Sequence, residues 1–224
     1  MELLIISETL LKYFPALLSA FAFTCIGSLW IDSLYPKALQ RNSLSFPEQI
    51  PQRAKWRKPA LFLALLFFFS KAWIVTALPA LPYITLAVGL LLLMTVTDFE
   101  QQLILDEMVF AFAALGLCYI LHLQLPLKEH LLASTGGGLL FLFLAFISKG
   151  AIGGGDIKLI AALGLWLGWK ALISVIMYGA IAGGIAALFL LLTKKIKRKQ
   201  YLAYGPYFAL CAIGVLLNIL HVNF

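Results

Sequence analysis

The stretch Gly153-Gly154-Gly155-Asp156-Ile157-Lys158-Leu159-Ile160-Ala161-Ala162-Leu163-Gly164 decides how this chain is read. Three consecutive glycines deliver a carboxylate into the start of a long apolar run. A carboxylate at the centre of a bilayer span costs roughly 2.5–3.5 kcal/mol on insertion scales, so an acid in such a place marks a functional position by default. Working outward, an apolar run next meets an acid upstream, in Thr95-Val96-Thr97-Asp98-Phe99-Glu100. Asp98 and Asp156 read as a membrane-embedded acid/base pair.

The rest of the composition sets the solvent. Hydrophobic residues make up 62% of the 224 and charged residues 12%, with a mean hydropathy of +0.98, whereas soluble domains are nearer half apolar. The expected fold class is all-α: a polytopic membrane protein with about eight transmembrane helices of about 20 residues each, and one longer cytoplasmic loop, residues 33–59, after the first span. Nothing is left over for a soluble domain, so residues 1–224 read as a single membrane-embedded domain. The net charge of +7 does not point to nucleic acid, because the basic residues collect in loops between apolar runs, which is the positive-inside pattern. Cys25, Cys118 and Cys211 each lie inside an apolar run and form no CxxC pair; neither a zinc site nor a disulfide framework is indicated. The first eight residues carry Glu2 and Glu8 and no Lys or Arg, which argues against a cleavable signal peptide.

In chain order, spans are expected over Leu10–Ile31, with Trp30 at interfacial depth, then Ala60–Leu78, Tyr83–Thr97, Met108–Leu125 and Leu131–Ser148, the last entered through Gly136-Gly137-Gly138. The glycine loop and Asp156 follow. Ile157–Gly168 reads as a short, tilted or re-entrant segment before Ala171–Thr193, and the last span is Leu202–Leu220. Pro36, Pro47, Pro51 and Pro59 break up residues 33–59, so that loop is expected to be irregular or partly folded. If it lies inside, alternation also puts Lys149, Lys158, Lys194, Lys195, Lys197, Arg198 and Lys199 inside. Only Lys12, Lys71, Lys128 and Lys170 are then left in spans or outside. This bias places both chain ends outside and both aspartates at the cytoplasmic ends of their spans.

Two carboxyls close enough to share a proton cannot both ionise, so they titrate as a unit and can divide two tasks. The ionised member takes a proton from a water attacking a peptide carbonyl; the protonated member polarises that carbonyl and helps the amine leave. Gly153, Gly154 and Gly155 would let the backbone adopt left-handed or extended conformations and approach a neighbouring helix or substrate. A second reading stands beside this one: the glycines are a tight turn, Asp156 caps the next helix, and Asp98 is solvated just past a helix end. Asp106 reads as the N-cap of the fourth span, with Glu107 in its first turn. Lys158 is a positive-inside anchor or a counter-ion. Gly164 and Gly168, like Gly179 and Gly183, have helix-packing spacing. His122, His130 and His221 read as no one's ligands, and no metal is expected.

Gly153-Gly154-Gly155-Asp156-Ile157-Lys158-Leu159, with Trp166-Leu167-Gly168-Trp169 after it, resembles the GxGD segment of the type IV prepilin peptidases. Asp98-Phe99-Glu100-Gln101-Gln102-Leu103-Ile104-Leu105-Asp106 is similar to their other aspartate motif, and Tyr204-Gly205-Pro206-Tyr207 to the Gly-Pro motif of their final span. The resemblance implies an intramembrane aspartic protease of the bacterial inner membrane, related to archaeal preflagellin peptidases. Such an enzyme removes a short basic leader from prepilins or pseudopilins on the cytoplasmic side. It implies Asp98 and Asp156 as the catalytic pair, supported by Asp106, Gly153, Gly154, Gly155, Lys158, Gly205 and Pro206. No cofactor is implied for peptidase activity. Many members also methylate the new N-terminus with S-adenosylmethionine and carry paired CxxC motifs in the first cytoplasmic loop. Here residues 33–59 are shortened and lack cysteine, so S-adenosylmethionine is implied only if methylation is retained. Two other readings stay open: a proton- or cation-coupled transporter using the intramembrane aspartates, and a non-catalytic assembly protein of a pilus or secretion machine.

Overall fold

The computed structural model describes residues 2–149, 152–193 and 203–220, with side chains from residue 13 onward. Every regular element among them is helical. The order is α1 (Glu2–Gln40), a 3-10 turn at Pro47–Gln49, α2 (Ile50–Ala54), α3 (Arg57–Val75), α4 (Leu81–Gln101), α5 (Asp106–His122), α6 (Leu127–Ile147), α7 (Gly154–Leu192) and α8 (Gly205–Leu216). Five of these, α1, α3, α4, α6 and α7, are long and apolar enough to cross a membrane. The basic run from Lys194 to Arg198 and Lys199, His221 and the start of the expected last span lie outside the described residues.

Burial sorts the helices. α4 is apolar all round and is enclosed along most of its length, as a helix without a polar face must be. It packs against α3, α5 and α8, while α7 packs against α5, α6 and α8. The peripheral helices turn Phe14, Phe21, Phe67, Phe110 and Phe146 outward. An apolar exterior is stable against lipid, where every backbone group must be satisfied within its own helix.

Three expectations are corrected. The first helix does not stop at Ile31 but continues through Pro36 to Gln40, because Tyr35 and Ala38 still find buried neighbours. The irregular part of residues 33–59 is thereby reduced to 41–46 and the junction before α3. Gly136, Gly137 and Gly138 are not an entrance; they lie mid-helix in α6. A Cβ on them would meet Trp169, Leu172 and Ala161 of α7 at 2.7–3.1 Å, so they permit close packing. Gly168 is not a packing glycine. It takes φ 71° and ψ −177° and breaks α7 into two halves, residues 154–167 and 169–192, close to the expected division after Ile157–Gly168. The packing reading does fit Gly164, set against the Ala133 backbone, and Gly179 and Gly183, set against Phe208 and Tyr204.

The break is sealed by α6. Buried His130 donates from Nδ1 to the Leu165 carbonyl at 2.8 Å. A carbonyl can only accept, so the proton is on Nδ1. In an unbroken helix the Leu165 oxygen would accept from residue 169; beside the break it accepts from His130.

Candidate active site

Asp98 lies in the last turn of α4, which ends when Gln102 adopts a left-handed conformation (φ 51°, ψ 40°) and donates its N–H to the Asp98 carbonyl at 2.8 Å. The end of a helix repels an acid, since the macrodipole is negative there. Asp98 is nonetheless only 5% exposed. The expectation of a solvated residue past the helix end is therefore overturned. Its Oδ2 is buried with no hydrogen-bond partner among the described residues.

Asp156 stands at the opposite kind of helix end. Gly153 is the N-cap of α7, in extended conformation (φ −68°, ψ 143°), and Asp156 is the third helical residue. From there its carboxylate faces back toward the Gly153 N–H. A second N–H reaches the same carboxylate from Gly205 at the start of α8. The glycines before Asp156 are not left-handed: Gly154 and Gly155 are ordinary helical residues. What Gly155 provides is space, since a Cβ there would sit 3.0 Å from the Ile104 Cβ.

Gly205 brings the two acids into relation. A Cβ built on it would lie 2.6 Å from Asp98 Oδ2, 2.7 Å from Ile104 Cδ1 and 3.2 Å from Asp156 Oδ1. The two carboxylate oxygens can be no farther apart than the first and last of these distances combined. Pro206 follows Gly205 in the first turn of α8, where its missing N–H is not needed. The acids open into a cleft of about 630 Å³ whose lining also includes Ser45, Gln102, Phe141, Tyr204 and Phe208. Apart from the carboxylates, Ser45, Gln102 and the Tyr204 hydroxyl, the lining is apolar.

The remaining expected site residues lie at the rim. Asp106 is not an N-cap: Leu105 holds that position without a side-chain cap, and Asp106 and Glu107 occupy the first turn of α5. Lys158 is a counter-ion, but to Asp106, at 2.7 Å, with both side chains more than half exposed. No group of three or more His, Cys, Asp or Glu among the described residues has metal-binding geometry.

Residue-by-residue reading missed a buried ionic cluster one turn from Asp98. Arg57, treated as a topology charge, donates from Nε and Nη2 to Glu100 at 2.8 and 2.7 Å, and also bonds Asp32. Tyr35 donates its hydroxyl to Glu100 at 2.7 Å. A guanidinium buried this way is stable only because both acids answer it, and the Tyr35 phenol adds a donor to Glu100. These partners are separated by 25 to 65 positions; the one local signal was an arginine bordering an apolar run.

Fold and site define a class: an all-helical, multi-pass membrane protein that brings two carboxylates together in a cleft at one end of its bundle. Comparison supplies the family. Residues 84–188, from α4 into α7 and including both aspartates, match the Type IV leader peptidase family. The chain is 32% identical over 142 residues to the prepilin leader peptidase/N-methyltransferase of Dickeya chrysanthemi, covering 60% of this chain and 50% of that one. It is 33% identical over 135 residues to the protein of the same name from Pectobacterium carotovorum subsp. carotovorum, covering 57% and 48%. The corresponding protein of Aeromonas salmonicida is 32% identical over 133 residues, covering 57% and 46%. The chain spans about half the length of the curated relatives it matches. No solved structure matches it. Over residues 84–188 this chain is similar to the type IV leader peptidase family.

Proposed function

We propose that this protein is an intramembrane aspartic endopeptidase that cuts the leader from type IV prepilins or pseudopilins at the cytoplasmic face of the inner membrane. One observation carries the reading: the buried, unpartnered Oδ2 of Asp98 faces Gly205, beside Asp156, in a cleft with an apolar wall. A carboxylate oxygen left alone in such a place is satisfied if the pair holds one proton between its members. The two N–H groups at Asp156 suit a negative charge there. The cytoplasmic assignment rests on charge: Arg41, Lys55 and Lys149 lie in connections between helices, and Lys37, Arg53, Lys58 and Lys158 in helical turns next to those connections.

In the hydrolysis, Asp156 takes a proton from the attacking water while the Asp98 hydroxyl donates to the scissile carbonyl oxygen. The water oxygen forms the new bond to carbon. The carbon–nitrogen bond then breaks as the departing nitrogen receives the proton taken from water, and Asp98 recovers its own as the carbonyl reforms. The apolar wall at Phe141, Tyr204 and Phe208 accommodates the hydrophobic part of the substrate.

The residues lining the dyad's cleft do not fit a methyl donor. Beyond the two aspartates, the cleft's polar side chains are Ser45, Gln102 and the Tyr204 phenol, too few to bind both the adenosine and the methionine ends of S-adenosylmethionine. We assign no methyl-transfer step to this site.

The test is cleavage of a prepilin by the purified full chain, read by N-terminal sequencing and mass. Leader removal that disappears in folded Asp98→Asn and Asp156→Asn variants supports the peptidase. Processing that survives either substitution rules out the dyad, and a methylated product would overturn the assignment to hydrolysis alone.

A further inference from the structure

The segment between α1 and α2 is tied to the turn of helix that carries Asp98. Gln101, three residues after Asp98 and fully buried, accepts the Phe46 N–H on Oε1 at 2.9 Å and donates from Nε2 to the Phe46 carbonyl at 3.1 Å. Both backbone groups of one residue are thereby taken by a single amide side chain, as a residue on a neighbouring strand would take them. Arg53 adds a second tie. It donates to the Glu100 carbonyl at 2.9 Å, and its guanidinium lies 3.7 Å from the centroid of the Phe46 ring.

These ties hold Ser45 at the cleft, where it lines the same cavity as both aspartates. Among the described residues the backbone N–H and C=O groups of Leu44 and Ser45 have no hydrogen-bond partner. A peptide bond inside a helix is shielded from water, so a substrate must be held unwound to be cut, and unwound backbone needs partners. Ser45 stands at a bend, and the free backbone groups of Leu44 and Ser45 can provide them by pairing with substrate backbone.

We propose that Leu44 and Ser45 form a docking edge for the extended backbone of the substrate beside its scissile bond, with Gln101 as the positioning residue that holds the edge in register with Asp98. This rests on the peptidase reading above. Gln101 touches no reacting atom in this arrangement; it acts through Phe46.

The test uses the full chain in lipid nanodiscs with an intact prepilin. A photo-crosslinking amino acid replaces Ser45 in an Asp156→Asn background, with the same probe at Phe110, an exposed position on α5, as control. The expected result is a crosslink from position 45 to substrate residues flanking the cleavage site, and none from position 110. In otherwise active protein, Gln101→Leu is expected to raise KM for prepilin by about tenfold, the loss of roughly one hydrogen-bonded contact's worth of binding, with kcat changed far less. Absence of the position 45 crosslink overturns the proposal, as does a Gln101→Leu variant that lowers kcat and leaves KM alone. If Gln101→Leu fails to fold, the crosslink alone decides. Failure of the peptidase reading is distinct: processing would persist in the Asp98→Asn and Asp156→Asn proteins, whatever position 45 contacts.

Discussion

Two of the polar sites in this apolar bundle lie roughly 18 Å apart along α7, and they are finished differently. At Gly168 the chain breaks a helix and then answers the exposed carbonyl: His130 reaches across from α6 to Leu165. At the other site the chain gathers two carboxylates and leaves Asp98 Oδ2 unanswered. Both are buried, and both depend on a glycine that no larger residue can replace without strain or collision. The difference is saturation. A polar group with all its partners holds a shape, whereas one with a vacancy is prepared to meet something else.

Substitutions at the two sites should therefore fail in different currencies. The largest effect belongs to the dyad: Asp98→Asn and Asp156→Asn should each lower leader cleavage by about 10²–10⁴-fold. The double variant should be little worse than either single one, because residues that act as a unit lose their effect together; single-turnover cleavage would read this, and additive losses would separate the two acids. Next comes Gly205→Ala. Its methyl would sit 2.6 Å from Asp98 Oδ2 and 3.2 Å from Asp156 Oδ1, and a displacement near 1 Å costs about 10² in rate. A variant that cleaved at the parental rate would show that α8 does not set the spacing.

At the saturated site the expected loss is in stability. His130→Leu leaves the Leu165 carbonyl unpaired and should lower unfolding free energy by about 1–3 kcal/mol, with the folded fraction cleaving normally; thermal unfolding and cleavage measured together would show it. Smallest is Lys158→Met. The Lys158–Asp106 pair is largely exposed, so its removal should change stability by less than about 1 kcal/mol, and by less still in high salt. A larger shift would mean that this rim pair supports the cleft.

The fold was legible because lipid imposes a simple rule: long apolar runs become helices, and most expected spans coincide with observed helices, five of them long and apolar enough to cross a membrane. Boundaries were less legible. Trp30 invited a stop at Ile31, yet α1 continues because tertiary burial of Leu34, Tyr35 and Ala38 outweighs a local interfacial signal. The acids of the site were readable one by one, since each is costly where it stands. Their company was not. Ile104, which fills the space that Gly155 and Gly205 leave open, looks in sequence like any other apolar residue. Arg57 and Glu100 read as loop charges, and only folding makes them neighbours. The glycines misled in a specific way: three in a row before Asp156 suggested unusual backbone, while the left-handed glycine was the isolated Gly168.

Helix α8 contributes no acid, yet its first residue separates the two that matter. The gauge of the instrument thus lies about fifty residues downstream of the second aspartate. A shortened chain that retained Asp98 and Asp156 but ended before Gly205 would preserve every acidic residue of the dyad and lose the distance between them, so an intact pair of aspartates in a related sequence is no guarantee of a working one.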